Sequence, residues 1–294
     1  MEHIPVMLEE VIENLKPKTG GIYVDGTLGL GGHAKEILKR IGPQGRLIGI
    51  ERDSKSLSNA RENLGSFLEQ CQLVQSNFRD INQVLDSLKI HKVDGILLDL
   101  GISSYQLDDP QRGFGFKTNG PLDMRMNQDE QKSAADLVNE SSQEELIKVI
   151  KEFGEERYAK RIAQTIVRER RMSPIKTTQE LRQIILKSVP GHYAKYRIDP
   201  ATRTFQALRI AVNRELDALK EVVAKSVECL NVGGRLCVIS FHSLEDRIVK
   251  QSIRDLKHQG KLERIVKKPL RPNAKELFKN PRARSARLRV AERI

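Results

Sequence analysis

A chain of 294 residues with 38% hydrophobic and 31% charged side chains is large enough for about two domains and has the balance of a soluble protein, and no apolar run approaches the roughly 18 residues that would span a bilayer as a helix. The excess of 51 Lys and Arg over 39 Asp and Glu gives a net charge of +12, which points to a polyanionic partner rather than an acidic protein surface or a membrane. An aromatic content of 4% without a single Trp argues against a protein that works mainly by stacking single-stranded bases.

Met7, Val11 and Leu15, with Leu8 and Ile12 beside them, recur at helical spacing and predict a short amphipathic helix. The first residues lack both the basic region and the apolar core of a secretory signal, so the expected compartment is the cytoplasm. Ile22–Asp25 is a β-branched and aromatic run that predicts a strand. It breaks into Gly26, Gly29, Gly31 and Gly32, and residues 34–38 then take up a helical pattern to about Arg40. Strand, tight turn and helix start together bring bare amides close to a ligand at a helix N-terminus.

After the break at Gly42, Pro43 and Gly45 come a strand over 46–50 that runs into Glu51, a helix over Ser54–Leu64 and a strand over 73–75 closing on Ser76, Asn77 and Phe78. Another helical stretch leads to an apolar strand over Val93–Asp99. Strands alternating with helices in this rhythm predict a parallel sheet covered on both faces. Cys71, Cys229 and Cys237 are too few and too scattered for a disulfide framework or a thiolate metal site, so reduced, mostly buried thiols and no metal are expected.

Near Ser104 the rhythm stops. Residues 105–130 are rich in Gly, Asp and Pro and read as a long ordered loop, a length that is usually functional. From Ser133 to Pro190 the pattern is helical, and residues 105–204 are expected to form an all-helical domain inserted into an α/β protein of residues 1–104 and 205–294. Steps of three and four from Phe205 to Leu230 predict one long helix ended by Gly233 and Gly234. A strand over 235–240, a helix from about Arg247 and late strands over 262–266 and 286–290 complete the chain. Residues 261–294 hold 12 Lys and Arg against Glu263, Glu276 and Glu292, a local excess of +9 within the total.

Partners of the glycine turn fall where a nucleotide needs them. Glu51 follows Gly31 by 20 residues at the carboxyl end of the second strand, where an acid accepts ribose hydroxyls. Phe78 can cover an adenine face, and Asp99, an acid closing an apolar strand, can hold an ammonium. The turn reads GxxGxGG after Asp25 rather than the GxGxxG of a dinucleotide site, and together with Asp99 it favours S-adenosylmethionine, whose methionine part carries an ammonium.

The blocks HIPV from His3, GTLGLGGH from Gly26, LLDLGISSYQLDDPQRGFGF from Leu97, PLDMRM from Pro121, GEERYAKRIA from Gly154, ATRTFQALRI from Ala201, SFHSLEDRIVK from Ser240 and NPRARSARLRVAER from Asn280 span the whole chain. On these blocks the sequence resembles the bacterial 16S ribosomal RNA cytosine-N4 methyltransferases, the RsmH or MraW family. The resemblance implies a class I, Rossmann-like, S-adenosylmethionine-dependent methyltransferase sheet with an inserted helical domain. It implies methylation of the N4 amino group of one cytidine in the decoding region of 16S rRNA. Carried over by position, the family's cofactor residues fall on Gly31, Gly32, His33, Glu51, Phe78, Asp99 and Gln106, of which His33 and Gln106 rest on the resemblance alone. Glu51 stands where Asp is expected more often.

Many amino methyltransferases carry a Pro-Pro-aromatic loop after strand four; here that loop has no proline, so the acceptor for the amino hydrogens is not assigned by analogy. The expected mouth combines the 99–109 loop with residues 240–243. Phe241 or Tyr105 would stack the base, His242 or Ser240 would contact its edge, and Asp99 and His242 are the catalytic candidates. Arg157, Lys160 and Arg161, with Arg168, Arg170 and Arg171, and the tail from Lys267 to Arg289 are expected to hold 16S rRNA; two basic surfaces suggest a structured particle such as the small subunit, and free rRNA stays open. The alternatives are a methyltransferase of another base or of a protein, and a ribosome-assembly factor with a vestigial cofactor pocket. The oligomeric state stays open, a homodimer included.

Overall fold

The protein is described from a computed structural model, over residues 5–191, 193 and 199–294. The chain divides into two compact units, one of Met1–Gly101 with Leu216–Ile294 and one of Ile102–Glu215. The first unit begins with α1 (Leu8–Leu15), β1 (Ile22–Asp25), α2 (Gly32–Ile41), β2 (Arg46–Glu51), α3 (Ser54–Leu64), β3 (Cys71–Gln75), α4 (Ile81–Ser87) and β4 (Val93–Asp99). The second holds α5 (Ser104–Asp108), α6 (Ala134–Glu140), α7 (Gln143–Gly154), α8 (Ala159–Arg170), α9 (Thr178–Ser188) and α10 (Ala201–Asn213). The chain returns through α11 (Glu215–Cys229), β5 (Leu230–Ser240), α12 (Ser243–His258), β6 (Leu262–Arg264), α13 (Ala274–Lys279) and β7 (Arg287–Arg293).

One sheet runs in the order β3-β2-β1-β4-β5-β7-β6. β1 to β5 are parallel, and β7 is antiparallel to both β5 and β6. Because side chains alternate across a strand, Ile48, Ile96, Leu98 and Val238 face one apolar layer with Val222, Val223, Val249 and Ile253, while Leu47, Leu97 and Ile239 face the other with Val11, Leu15, Ile37 and Leu38. Strands covered on both faces have to read as near-continuous apolar runs, which is why β4 stood out in the sequence. This is the class I methyltransferase sheet that the sequence led us to expect. Strand order reverses between β1 and β4, so their carboxyl ends flank the crevice where open α/β sheets bind ligands.

The structure differs from the expected elements in four places. The helix predicted from Phe205 to Leu230 is two helices, broken at Arg214, whose φ is 50°. The apolar steps run through the break, so periodicity is blind to it. What stops α10 is Asn213, fully buried, whose amide donates to Met124 O and whose Oδ1 accepts from Met126 N, both at 2.7 Å. The helical unit accordingly ends at Glu215 rather than 204, with α10 packed against α7. Second, β5 starts at Leu230 and carries Gly233 and Gly234 inside the strand, with a register shift opposite Val93 and Gly95. Third, α12 starts at Ser243, four residues early. Fourth, the 105–130 stretch, expected as an ordered loop, opens with the short helix α5; the loop that follows is built around Arg112, which is fully buried and donates to Arg125 O and Met126 O.

Among the described residues no helix is long and apolar enough to cross a membrane, and no group of His, Cys, Asp and Glu could hold a metal ion. His3 and Ile4, the start of the first block above, lie outside the described residues.

Candidate functional site

The turn after β1 is held by its backbone. Gly26 N donates to Leu97 O at 2.9 Å, and a Cβ on Gly26 would stand 2.6 Å from Leu98 Cδ2, so any side chain there would have to displace the buried Leu98 where β1 passes β4. Gly31 has a φ of 79° and caps α2. No side chain caps that helix and its first turn holds no acid, which leaves its positive end to an external anion.

Three carboxylates close the strands around this turn. Asp25 ends β1 and is 1% exposed, its Oδ1 accepting from Thr27 N at 3.2 Å. Glu51 ends β2 and braces the turn from the side, Oε2 accepting from Gly29 N at 2.9 Å and Oε1 from Asp53 N at 3.0 Å. Asp99 ends β4, and its own amide donates to Thr27 Oγ1 at 2.6 Å. His33, in the first turn of α2 and buried, places Nε2 3.6 Å from Asp99 Oδ2. Among the described residues both His33 ring nitrogens and Asp99 Oδ1 are buried without a hydrogen-bond partner. Phe78 follows β3 and its Cβ lies beside Gly26.

Packing acids together out of water raises their pKa values. Burial pushes the Asp25 carboxyl up to about 7; His33 and the Thr27 amide oppose this, while Asp99 and Glu51 add to it. Glu51 is also held above the usual carboxylate range, chiefly by burial, against the pull of the Asp53 and Gly29 amides. A buried, acid-lined crevice beside an uncapped helix N-terminus suits a ligand with a cationic part and a carboxylate, and the orphaned atoms of His33 and Asp99 fit such a ligand.

Compared with known families, the full length, residues 1–294, matches the model described as the MraW methylase family. The chain belongs to that family. Among its relatives, the "Ribosomal RNA small subunit methyltransferase H" of Geotalea uraniireducens is 50% identical, covering 99% of this chain and 98% of the relative. The protein of the same name from Halothermothrix orenii is 47% identical, covering 100% and 99%. Among solved structures, an rRNA methylase from Streptococcus thermophilus superimposes with a TM-score of 0.44 at 10% identity, covering 98% of this chain and 93% of the other.

Of the residues that the family resemblance singled out, Gly31, Gly32, His33, Glu51, Phe78 and Asp99 gather at the carboxyl ends of β1 to β4. Gln106 lies in α5 of the helical unit, buried, and its Oε1 accepts from Ser103 N as half of a capping box. Tyr105 precedes it, half-buried. In the same unit the Arg157 guanidinium lies over the Tyr158 and Tyr193 rings, 4.7 and 4.6 Å from their centroids, and Arg161 stands 6.0 Å from that of Tyr158. Lys160 is exposed beside them.

The remaining predicted residues lie at the end of β5, at the start of α12, in the tail and in α8. Ser240 is 1% exposed and its hydroxyl turns to Arg287 O of β7, so it is a sheet residue and not a contact for a base. Phe241, half-buried, lays its ring toward Gly101, in the loop after β4. His242 is the N-cap of α12, its Nδ1 accepting from Glu245 N at 3.4 Å while Glu245 Oε2 accepts from Phe241 N at 2.7 Å. Its Nε2 is buried and stands 3.2 Å from Glu245 Oε1 without the angle of a hydrogen bond. In the basic tail, Arg289 is buried and pairs with Asp246 at 2.7 Å, as does Arg287 at 2.8 Å, so these two cations neutralise an internal acid. Arg170 donates to Val138 O, which ties it to the helical unit, while Arg168 stays exposed beside Glu169.

Sequence reading left Asp25 out of the site. Its signal was the one used for Asp99, an acid closing an apolar strand.

Proposed function

We propose that this chain is an S-adenosylmethionine-dependent methyltransferase acting on the exocyclic N4 amino group of one cytidine in the decoding region of 16S rRNA, within the small ribosomal subunit and in the cytoplasm. The observation that carries this reading is the ring of Asp25, Glu51, Asp99 and His33 around the glycine turn. It supports a methyl-donor site, and the substrate follows the relatives named as small-subunit rRNA methyltransferases over the full length of the chain.

When bound, S-adenosylmethionine supplies a methyl group on a sulfonium, an electrophile strong enough for a weak amine nucleophile. The first-turn amides of α2 would take its carboxylate, Asp99 its ammonium, Glu51 its ribose hydroxyls and Phe78 a face of its adenine, while His33 would fill its open hydrogen bonds on the ligand. Buried carboxylates favour a cationic ligand over a neutral one. The cytosine amine is poorly nucleophilic because its lone pair is conjugated with the ring, so the protein's task is to align it and exclude water. Phe241, beside Gly101 at the carboxyl end of β5, would stack the base and His242, the next residue, would meet its edge. An acceptor that holds an amino hydrogen localises the lone pair, and the proton can leave after transfer.

Labelled methyl transfer to free 16S rRNA and to small subunits, followed by mapping of the modified base, tests the reading. The expected product is a single N4-methylated cytidine in the decoding region, formed on the subunit; label on protein or on another base would overturn it.

A further inference from the structure

One large apolar side chain is left almost wholly in solvent within the basic tail: Phe278 is 90% exposed. It lies on α13, a short helix anchored firmly on its other side. Asn273 caps α13 by accepting from Glu276 N at 2.9 Å, and Leu277 packs into the apolar layer that contains Met7, Leu28 and Ile37. Glu276 Oε1 accepts from Met7 N at 2.6 Å. The same carboxylate lies within electrostatic reach of His33, so α13 is fixed beside the turn that carries the donor site.

With Leu277 and Glu276 spent on anchoring, positions i, i+3 and i+4 of the other face are Lys275, Phe278 and Lys279, all exposed, and Arg282 follows one turn later, also exposed. A fixed aromatic ring between cations has a specific chemical complement. The ring offers a face to a planar base, and the ammonium and guanidinium groups take the phosphates on either side. A duplex, whose bases are already stacked, cannot use it. An acidic protein would use the charges and leave the ring in water.

We propose that Phe278 is a stacking site for an unpaired RNA base, with Lys275, Lys279 and Arg282 holding the flanking phosphates. This rests on the reading of the substrate as RNA and gives it a contact at the donor-site edge of the sheet unit, independent of the bases that the active site itself would handle. The low aromatic content excludes a protein built of such platforms, and one well-placed ring does not conflict with that.

The sequence contains no Trp, so Phe278→Trp creates a single fluorescent reporter at a position whose exposure makes replacement harmless to the fold. Titrated with a short unstructured oligouridylate, its emission should be quenched to saturation, while polyphosphate of matched charge should leave it unchanged. Equal changes with both polyanions, or binding of labelled oligonucleotide without quenching, would overturn the proposal. So would a concentration-dependent blue shift without RNA, which would assign the ring to an interface between copies of the chain. In methyl transfer to small subunits, Phe278→Ala should raise KM about ten-fold, the scale of one stacked base. Phe278→Tyr should restore it, and the calorimetric Kd for S-adenosylmethionine should stay at the wild-type value in both. Normal KM in Phe278→Ala with active wild type sinks the stacking site alone; no transfer by the wild type sinks the functional reading on which it rests.

Discussion

At the residue scale the unusual group is Asp25, an acid with almost no exposure at the end of a buried strand. Burial first, and the charges of Asp99 and Glu51 after it, lift its carboxyl to about 7, well above the value near 4 expected in the unfolded chain. Between those values the folded state binds a proton that the unfolded state has lost, so the stability of the ligand-free protein falls as pH rises through that window, and the cost is complete above pH 7. Asp25→Asn keeps an oxygen for the Thr27 amide and removes the charge. It should melt above the wild type at pH 8, by up to about 4 kcal/mol in stability, and close to it at pH 4; thermal melts at the two pH values decide, and a difference that does not change with pH would contradict the assignment. His242 poses a different question, because its imidazole already caps α12. His242→Ala should lose about 1 kcal/mol with the cap, whereas His242→Asn, a good capping residue, should recover the melting temperature but not the methyl-transfer rate. Recovery of both would leave His242 a structural cap. The sequence exposed Asp99 through its place at the end of an apolar run, but gave Asp25 the same place without revealing that β4 and α2 seal it from water.

At the scale of elements, period-2 and period-3.6 patterns located the strands and most helices because each buries a face, and burial is what those patterns record. They failed where a single polar side chain overrides the pattern. The break between α10 and α11 depends on Asn213 reaching Met124 and Met126, nearly ninety positions away in sequence, and no local window contains that contact. The 105–130 stretch is similar: it reads as polar loop, yet its order comes from Arg112, whose guanidinium satisfies the carbonyls of Arg125 and Met126 and lies 5.8 Å from the Phe114 ring centroid. A buried arginine whose partners are backbone carbonyls has no apolar equivalent, since its removal strands those carbonyls. Arg112→Met should therefore cost about 3 kcal/mol despite its similar size. Hydrogen exchange should show the loss as faster exchange of the amides between Arg112 and Met126, and unchanged protection there would mean that the loop is ordered by something else.

At the scale of the whole molecule, the net charge of +12 was the first indication of a polyanionic partner, and its concentration in residues 261–294 located a tail. Composition counts every cation alike, whereas the fold divides them into two groups. Arg287 and Arg289 are committed to Asp246, and Arg235 to Glu292 at 2.9 Å. Lys267, Lys268, Arg271, Lys275, Lys279, Arg282 and Arg284 remain exposed. Only cations that replace condensed counterions on RNA contribute to the salt dependence of binding, at a log-log slope of about −0.7 per phosphate contact on single strands. If these seven exposed cations between residues 267 and 284 all meet phosphates, that stretch alone should supply a slope of about −5. The double substitution Lys275→Ala with Lys279→Ala should make the measured slope shallower by about 1.4 and leave the melting temperature unchanged, because both side chains stand in solvent. Arg289→Ala should do the reverse. It leaves the buried Asp246 carboxylate with Arg287 as its one paired cation, lowering the melting temperature, and leaves the slope where it was because Arg289 never faces RNA. Filter binding of 16S rRNA fragments across a salt series measures the slopes; a shallower slope in Arg289→Ala at unchanged stability would place the RNA on the sheet edge instead of on the tail.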